Sequence, residues 1–372
     1  MKYYIIAGEA SGDLHGSNLI KELLKLDRQA TIRCWGGDMM QSMGADLVKH
    51  YKELAFMGFT EVAKNLGTIL RNLKYCKTDI ASYQPDVIIL IDYPGFNLRI
   101  ARWAKQLSFK VIYYISPQVW AWKESRVLTI SKTVDKMIVI LPFEKDFYKR
   151  WNYPVDYVGH PLVEVIENFK KTFTFTAGST ADKPNKIVAL LPGSRKQEIL
   201  KKLPIMLELS SLFPDFHFIV AQAPGQEDSF YATLLKDYKN VSAVKNETYQ
   251  LLMKADAALV TSGTATLETA LFDVPEVVCY KSSTISYWIA KRLIKVKYIS
   301  LLNLIMDEEV VKDLIQDALT VENLQKELNL LIYDAGRKVQ LQQDYADLRK
   351  LLSEGGDASS NAARGIMEFL TH

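Results

Sequence analysis

Cysteine is scarce in this sequence. Cys34, Cys76 and Cys279 are the only three in 372 residues, odd in number and far apart. No disulfide framework and no zinc-type spacing can be built from them, and free thiols suit a reducing compartment. The five histidines are scattered and form no His-Glu-x-x-His, so neither a metal nor a cofactor is expected. Long apolar runs are missing as well. The N-terminal run Met1–Ala7 gives way to Glu9 and Asp13, short of the ~7–15 apolar residues of a secretory signal. The longest runs elsewhere, such as Met137–Phe143, fall short of the ~18 residues of a spanning helix. The expectation is a cytoplasmic chain whose membrane contact is peripheral. A large charge excess is also absent: 46 basic residues against 43 acidic ones leave +3. That gives no push toward a nucleic-acid partner, and none is expected; it is compatible with loose attraction to an anionic lipid surface.

What is present is ordinary globular material, 48% hydrophobic and 24% charged. At roughly 100–200 residues per domain, the length suggests two domains or three. Near-continuous apolar runs at Tyr3–Ala7, Thr31–Trp35, Val87–Ile91, Val111–Ile115 and Met137–Leu141 read as strands buried on both faces. Helical periods lie between them; Leu14, Leu19, Leu23 and Leu26 mark one. Strand alternating with helix means an α/β domain with a parallel sheet. Residues 167–186 change character, with Asn168–Thr172 and Ala177–Pro184 reading as a polar linker. The strand pattern then restarts at Ile187–Leu191, Phe216–Ala221, Val241–Val244, Ala257–Val260 and Glu276–Tyr280. After Asp307 the sequence reads as helical to the end.

The expected organisation is therefore two Rossmann-like domains, 1–166 and 187–345. A C-terminal helix, 346–372, packs back on the first. Two such halves facing each other would hold a ligand in the cleft between them.

Four loops that follow strands carry candidate chemistry. Thr261-Ser262-Gly263-Thr264-Ala265-Thr266-Leu267-Glu268 leads into a helix. Small residues at a helix start leave N–H groups open where the dipole is positive, which suits phosphate. Glu268, one turn in, can accept from a ribose diol, while Ser262 or Thr264 would equally serve as a plain cap. Leu191-Pro192-Gly193-Ser194-Arg195 offers close backbone approach at Gly193 and a planar fork at Arg195. With the first loop it suits one pyrophosphate; alone it is an ordinary strand-to-helix turn. Gly8-Glu9-Ala10-Ser11-Gly12-Asp13 is neither a Walker loop nor Gly-x-Gly-x-x-Gly. Its glycines and Ser11 permit a sugar or phosphate to approach, and Asp13 can also cap a helix. In Ile91-Asp92-Tyr93-Pro94-Gly95-Phe96-Asn97, Asp92 lies at the carboxyl end of a strand, where α/β sites open. There a carboxylate can take a proton from an attacking hydroxyl, or simply close an Asx turn.

Three further features stand beside these. Trp120 and Trp122 in Ser116–Trp122 offer sugar stacking, a lipid interface or core packing. His15 reads as a structural donor more readily than a base. Phe59, Val62, Leu66, Ile69, Leu70 and Leu73 form one helical stripe, and Ser286–Lys297 mixes aromatics with a basic face. Both suit an interfacial helix and equally a helix packed on its own core.

Taken in order, these pieces resemble the lipid-A-disaccharide synthase family. The matching segments are Ala7–Asp13, Met57-Gly58, Ile91-Asp92 with Pro94 and Phe96-Asn97, Ser116-Pro117 with Val119–Trp122, Leu141–Glu144, Gly159-His160, Leu191–Arg195, Ser262–Glu268 and Ala290–Leu293. The resemblance implies a metal-independent GT-B glycosyltransferase with the donor in its C-terminal domain. It implies UDP-2,3-diacylglucosamine as donor, 2,3-diacylglucosamine 1-phosphate as acceptor, and a β-1,6-linked disaccharide phosphate and UDP as products. It assigns catalysis to Asp92 and Arg195. Donor binding falls to Gly193, Ser194, Arg195, Ser262, Gly263, Thr264, Glu268 and Asn303. The sugar side falls to Glu9, Ser11, Gly12, Asp13, Trp120 and Trp122, and an inner-membrane surface to the Phe59–Leu73 stripe.

The sequence departs from the family pattern in three places. Gly95 replaces a frequent second acid, which leaves Asp92 without a rival base. Leu302 replaces a proline in Ser300-Leu301-Leu302-Asn303 and loosens the expected place of Asn303. The linker Phe169–Asn185 matches nothing in the family. Another GT-B glycosyltransferase, a UDP-sugar 2-epimerase and a non-catalytic UDP-sugar sensor remain as alternatives. Oligomeric state, including a homodimer, stays open.

Overall fold

The computed structural model describes residues 1–54, 66–173, 186–283 and 296–371. The chain divides into two units, Met1–Pro161 with Leu352–His372, and Leu162–Leu351.

In the first unit the strands are β1 (Lys2–Ala7), β2 (Thr31–Gly36), β3 (Asp46–His50), β4 (Val87–Ile91), β5 (Lys110–Tyr114), β6 (Lys136–Val139) and β7 (Asp156–Tyr157). They form one parallel sheet in the order β3-β2-β1-β4-β5-β6-β7. The apolar runs explain the centre: Tyr3 to Ala7 and Val87 to Ile91 are all at 0% exposure, as expected where helices cover both faces. The helices are α1 (Ala10–Leu26), α2 (Asp38–Ser42), α3 (Leu66–Tyr83), α4 (Pro94–Gln106), α5 (Val119–Trp122), α6 (Val127–Thr133), α7 (Glu144–Lys149) and the start of α8 (Pro161–Thr172). Asp79 on α3 takes both Nε and Nη2 of Arg33 at 2.9 and 2.8 Å and the Tyr4 hydroxyl at 2.6 Å. This paired geometry fastens α3 to the sheet.

In the second unit the strands are β8 (Lys186–Leu191), β9 (Phe216–Gln222), β10 (Val241–Lys245), β11 (Ala257–Thr261), β12 (Glu276–Tyr280) and β13 (Lys312–Ile315). All are parallel, in the order β10-β9-β8-β11-β12-β13. The helices are α9 (Lys196–Ser210), α10 (Asp228–Leu235), α11 (Thr248–Leu252), α12 (Thr264–Leu271), α13 (Leu301–Met306), α14 (Val321–Tyr333) and α15 (Ala335–Ser353). The last helix, α16 (Ala358–Thr371), belongs to the first unit and packs against α1. The Tyr3 hydroxyl meets Met367 there at 3.1 Å, and His160 N–H donates to the Leu352 carbonyl at 3.0 Å.

Two sequence expectations are corrected. Asn168–Thr172 is the last stretch of α8, not polar linker. Phe169 turns the segment inward: its ring lies 5.2 Å from Phe173, 5.3 Å from Tyr249 and 6.1 Å from Phe272. Lys170 Nζ donates to the Leu271 carbonyl at 2.7 Å. Residues 174–185 of that expected linker lie outside the described residues. The tail after Asp307 is not all helix, because β13 adds an edge strand beside β12. Lys312-Asp313-Leu314-Ile315 has too little apolar character to read as a strand. The short strands β3 and β7 escaped for the same reason.

Among the described residues no helix is long and apolar enough to cross a membrane.

Candidate functional site

Each sheet has one place where its order reverses. In the first unit the chain leaves β1 toward β2 and β3 on one side, and leaves β4 toward β5 on the other. The loops after β1 and β4 therefore diverge and open a crevice at the carboxyl ends of the strands. Glu9, Ser11 and Gly12 follow β1; Asp92 follows β4. In the second unit the reversal lies between β8 and β11. Gly193-Ser194-Arg195 follows β8 and Ser262-Gly263-Thr264 follows β11, so these two loops are neighbours by topology.

In the first crevice, Gly8 lies flat on the Tyr93 ring; a Cβ there would fall 2.3 Å from it. The glycine is thus required for the β1 and β4 loops to meet. Asp92 and Tyr93 are both in the left-handed region, at φ 42° and 49°. Non-glycine residues reach it rarely and at a cost. Their backbone is held by Asn97, which is buried and donates to the carbonyls of Asp92, Ile91 and Ile6 at 2.8, 3.1 and 3.4 Å. The Tyr113 hydroxyl donates to the same Asp92 carbonyl. Burial, and secondarily the charge of Glu9, push the Asp92 carboxyl up to about 7, against a smaller opposing pull from the Tyr93 N–H. A carboxylate tuned near neutrality is suited to receive a proton.

Several expected ligand residues turn out to hold the fold. Asp13 is 3% exposed, and its carboxylate accepts from the N–H groups of Gly37, Met39 and Met40 at 2.8, 3.2 and 3.1 Å. It caps α2, and all the capacity seen is spent there. Trp120 is buried, edge-on to Phe143 with ring centres 4.9 Å apart. Its Nε1–H donates to Glu144 at 3.2 Å. Its ring is held by core packing. Trp122 remains 44% exposed, with the Arg126 guanidinium 4.2 Å from its ring centre. His15 is buried and pushed down to about 4 by desolvation, which keeps it neutral.

In the second unit Arg195 is exposed, with Nη1 3.3 Å from Glu198 Oε1. Gly193 has φ +112°, a conformation that a side chain would strain. Ser194 and Gly263–Thr264 are exposed; the Ser262 hydroxyl donates to the Ile299 carbonyl at 2.9 Å. Glu268 sits one turn into α12 and accepts from the Tyr249 hydroxyl at 3.3 Å. Asn303 is at 0% exposure, and its side chain exchanges two bonds with the Val311 backbone, at 2.8 and 3.0 Å. Leu302 packs beside it at 0% exposure.

Of the interfacial stripe, Phe59 and Val62 lie outside the described residues, as does most of Ser286–Lys297. Leu70 is 54% exposed and Leu73 is buried.

Three residues were missed, two in the first unit and one in the second. Asn97 stood inside a quoted motif without a role. Glu144, fully buried and pushed up to about 7 by desolvation, ties Trp120 to the Leu141 N–H. Lys202 sits on the buried face of α9. Its signal was a lysine on the apolar stripe Ile199-Leu203-Met206-Leu207.

Comparison with known proteins fits these features. The family model described as Lipid-A-disaccharide synthetase matches residues 3–366. The lipid-A-disaccharide synthase of Geobacter sulfurreducens is 38% identical over 371 residues, covering 98% of this chain and 96% of that one. That of Myxococcus xanthus is 37% identical over 371 residues, covering 98% and 97%. Among solved structures, the UDP-GlcNAc 2-epimerase of Neisseria meningitidis bound to UDP-GlcNAc aligns with a TM-score of 0.68 at 14% identity, covering all of both chains. A calicheamicin glycosyltransferase aligns at 0.63 and 15% identity, covering 100% of this chain and 98% of that one. These structural likenesses show the fold, two Rossmann-like units of the GT-B class. The family match over nearly the whole length shows more: the chain belongs to the lipid-A-disaccharide synthase family and is a glycosyltransferase of lipid A biosynthesis.

Proposed function

We propose that the chain transfers 2,3-diacylglucosamine from UDP to the 6-hydroxyl of 2,3-diacylglucosamine 1-phosphate, giving a β-1,6-linked disaccharide phosphate and UDP. The observation that carries the mechanism is the Asp92 carboxyl, at the reversal point of its sheet and raised to about 7. In this reading Asp92 accepts the proton of the attacking hydroxyl. A new C–O bond forms at the anomeric carbon as the bond to UDP breaks, so an α-linked donor gives a β product in one displacement. Glu9 and Ser11 border the acceptor, and Trp122 offers an exposed ring.

Donor binding is assigned to the second unit. The open N–H groups at Ser262–Thr264 and the Arg195 fork would take up charge on the departing diphosphate. Arg195 and the helix start would do what a divalent cation does in other transferases. Glu268, oriented by Tyr249, would hold the ribose. Two lipid substrates also favour a peripheral seat on the cytoplasmic face of the inner membrane, with the Leu70 side of α3 as its described part.

The structural kinship with UDP-GlcNAc 2-epimerases supplies the alternative. A detergent-micelle assay with both substrates and EDTA separates the two. Disaccharide and UDP support the transferase; a changed sugar without a new glycosidic bond supports the epimerase.

A further inference from the structure

Lys202 is buried to 2% exposure on α9, among Ile199, Leu203, Met206 and Leu207, all of them at 1% or less. Its ammonium lies beneath both loops of the second unit. A Cβ on Gly193 would fall 3.4 Å from Nζ, and Nζ donates to the hydroxyl of Thr261, the residue just before Ser262-Gly263-Thr264.

An ammonium has three donors, and Thr261 takes one of them. Among the described residues the nearest carboxylate oxygen, Glu198 Oε2, is 3.9 Å away, and the other oxygen of that carboxylate is 3.3 Å from Arg195. The Cys279 thiol also faces the ammonium, but burial pushes it up to about 12 and so keeps it neutral. Lys202 thus shares with Arg195 a carboxylate that is partly exposed. A buried cation with so little compensation is costly for the fold. An anion on the two loops would supply the missing charge.

We infer that Lys202 is an anion-binding residue of the donor site, supporting from beneath the loops the diphosphate of the sugar nucleotide and of the nucleoside diphosphate that leaves. The inference rests on reading the second unit as the donor site, and assigns it a charge that the loop motifs do not contain.

The test is calorimetric titration of the full chain with UDP, alongside uridine binding followed by saturation-transfer NMR. The Lys202→Met variant keeps length and apolar packing. It is expected to bind UDP about tenfold more weakly, the scale of one lost charge-assisted contact. Uridine binding should be unchanged, and the melting temperature unchanged or raised. Equal UDP affinity in variant and wild type overturns the inference. So does a parallel loss for UDP and uridine with a lower melting temperature, which would mark Lys202 as a fold residue. A wild type that binds no UDP overturns the donor-site reading itself. Glu198→Gln is the second variant. Freeing the two cations from their shared carboxylate is expected to tighten UDP binding by about threefold, and that gain should shrink in the Lys202→Met background. A gain of the same size in both backgrounds overturns the inference.

Discussion

The side-chain amide of Asn97 donates to the main-chain carbonyl of Asp92 at 2.8 Å, one turn into the helix that Asp92 precedes. The same amide reaches the carbonyls of Ile91 and Ile6, so one buried side chain joins the carboxyl ends of β4 and β1. Because Asp92 and Tyr93 adopt left-handed backbone, this bracing fixes where the carboxylate points. Asn97→Ala should cost about 1–3 kcal/mol in stability, since buried carbonyls lose their donor. In steady-state kinetics kcat should fall more than KM rises. Urea unfolding and kinetics at saturating substrate check both parts.

Arg195 carries the second prediction. Arg195→Ala should lower kcat/KM by about 10²-fold, the scale seen when one stabilising donor is removed from a developing negative charge. Arg195→Lys should recover only part of this, because a point charge does not reproduce the guanidinium fork. Stability should hardly change, since Arg195 is exposed. Transfer kinetics and thermal melts on the three proteins test this.

Glu144 gives a prediction in pH. Its folded value is about 7, above the usual 4.5. As pH rises through 4.5 the unfolded chain releases this proton while the folded chain keeps it. The contribution of Glu144 to stability is therefore greatest at or below pH 4.5 and declines until about pH 7. Glu144→Gln removes the titration. Denaturant unfolding at pH 5 and pH 8 should show wild type losing stability relative to the variant at the higher pH. An equal difference at both values would contradict the assignment.

Much of the fold was legible because buried parallel strands announce themselves. Val87–Ile91 and Glu276–Tyr280 were read with the boundaries the structure gives them. What escaped were edge strands such as Lys312–Ile315, and the end of α8, where polar residues flank a ring cluster formed only in three dimensions. The candidate site divides in the same way. Loop positions could be read because they follow strands. What each side chain does there could not, since Asp13 in α1 finds Gly37–Met40 and Asn303 in α13 finds Val311 only through folding. Sequence spacing marks Trp120 and Trp122 alike; packing against Phe143 and Glu144 is what separates them.

The most direct test of the account concerns Asp92. Its folded value of about 7 predicts that kcat/KM in the micelle assay falls below about pH 7, as the carboxylate takes up its proton. Asp92→Asn should lose about 10²–10⁴-fold in kcat, the usual share of a general base, while keeping UDP affinity. Because the charged carboxylate is desolvated in the wild type, the variant should unfold no more easily at pH 8. A folded Asp92→Asn protein with wild-type turnover and an unchanged pH profile would contradict the central claim.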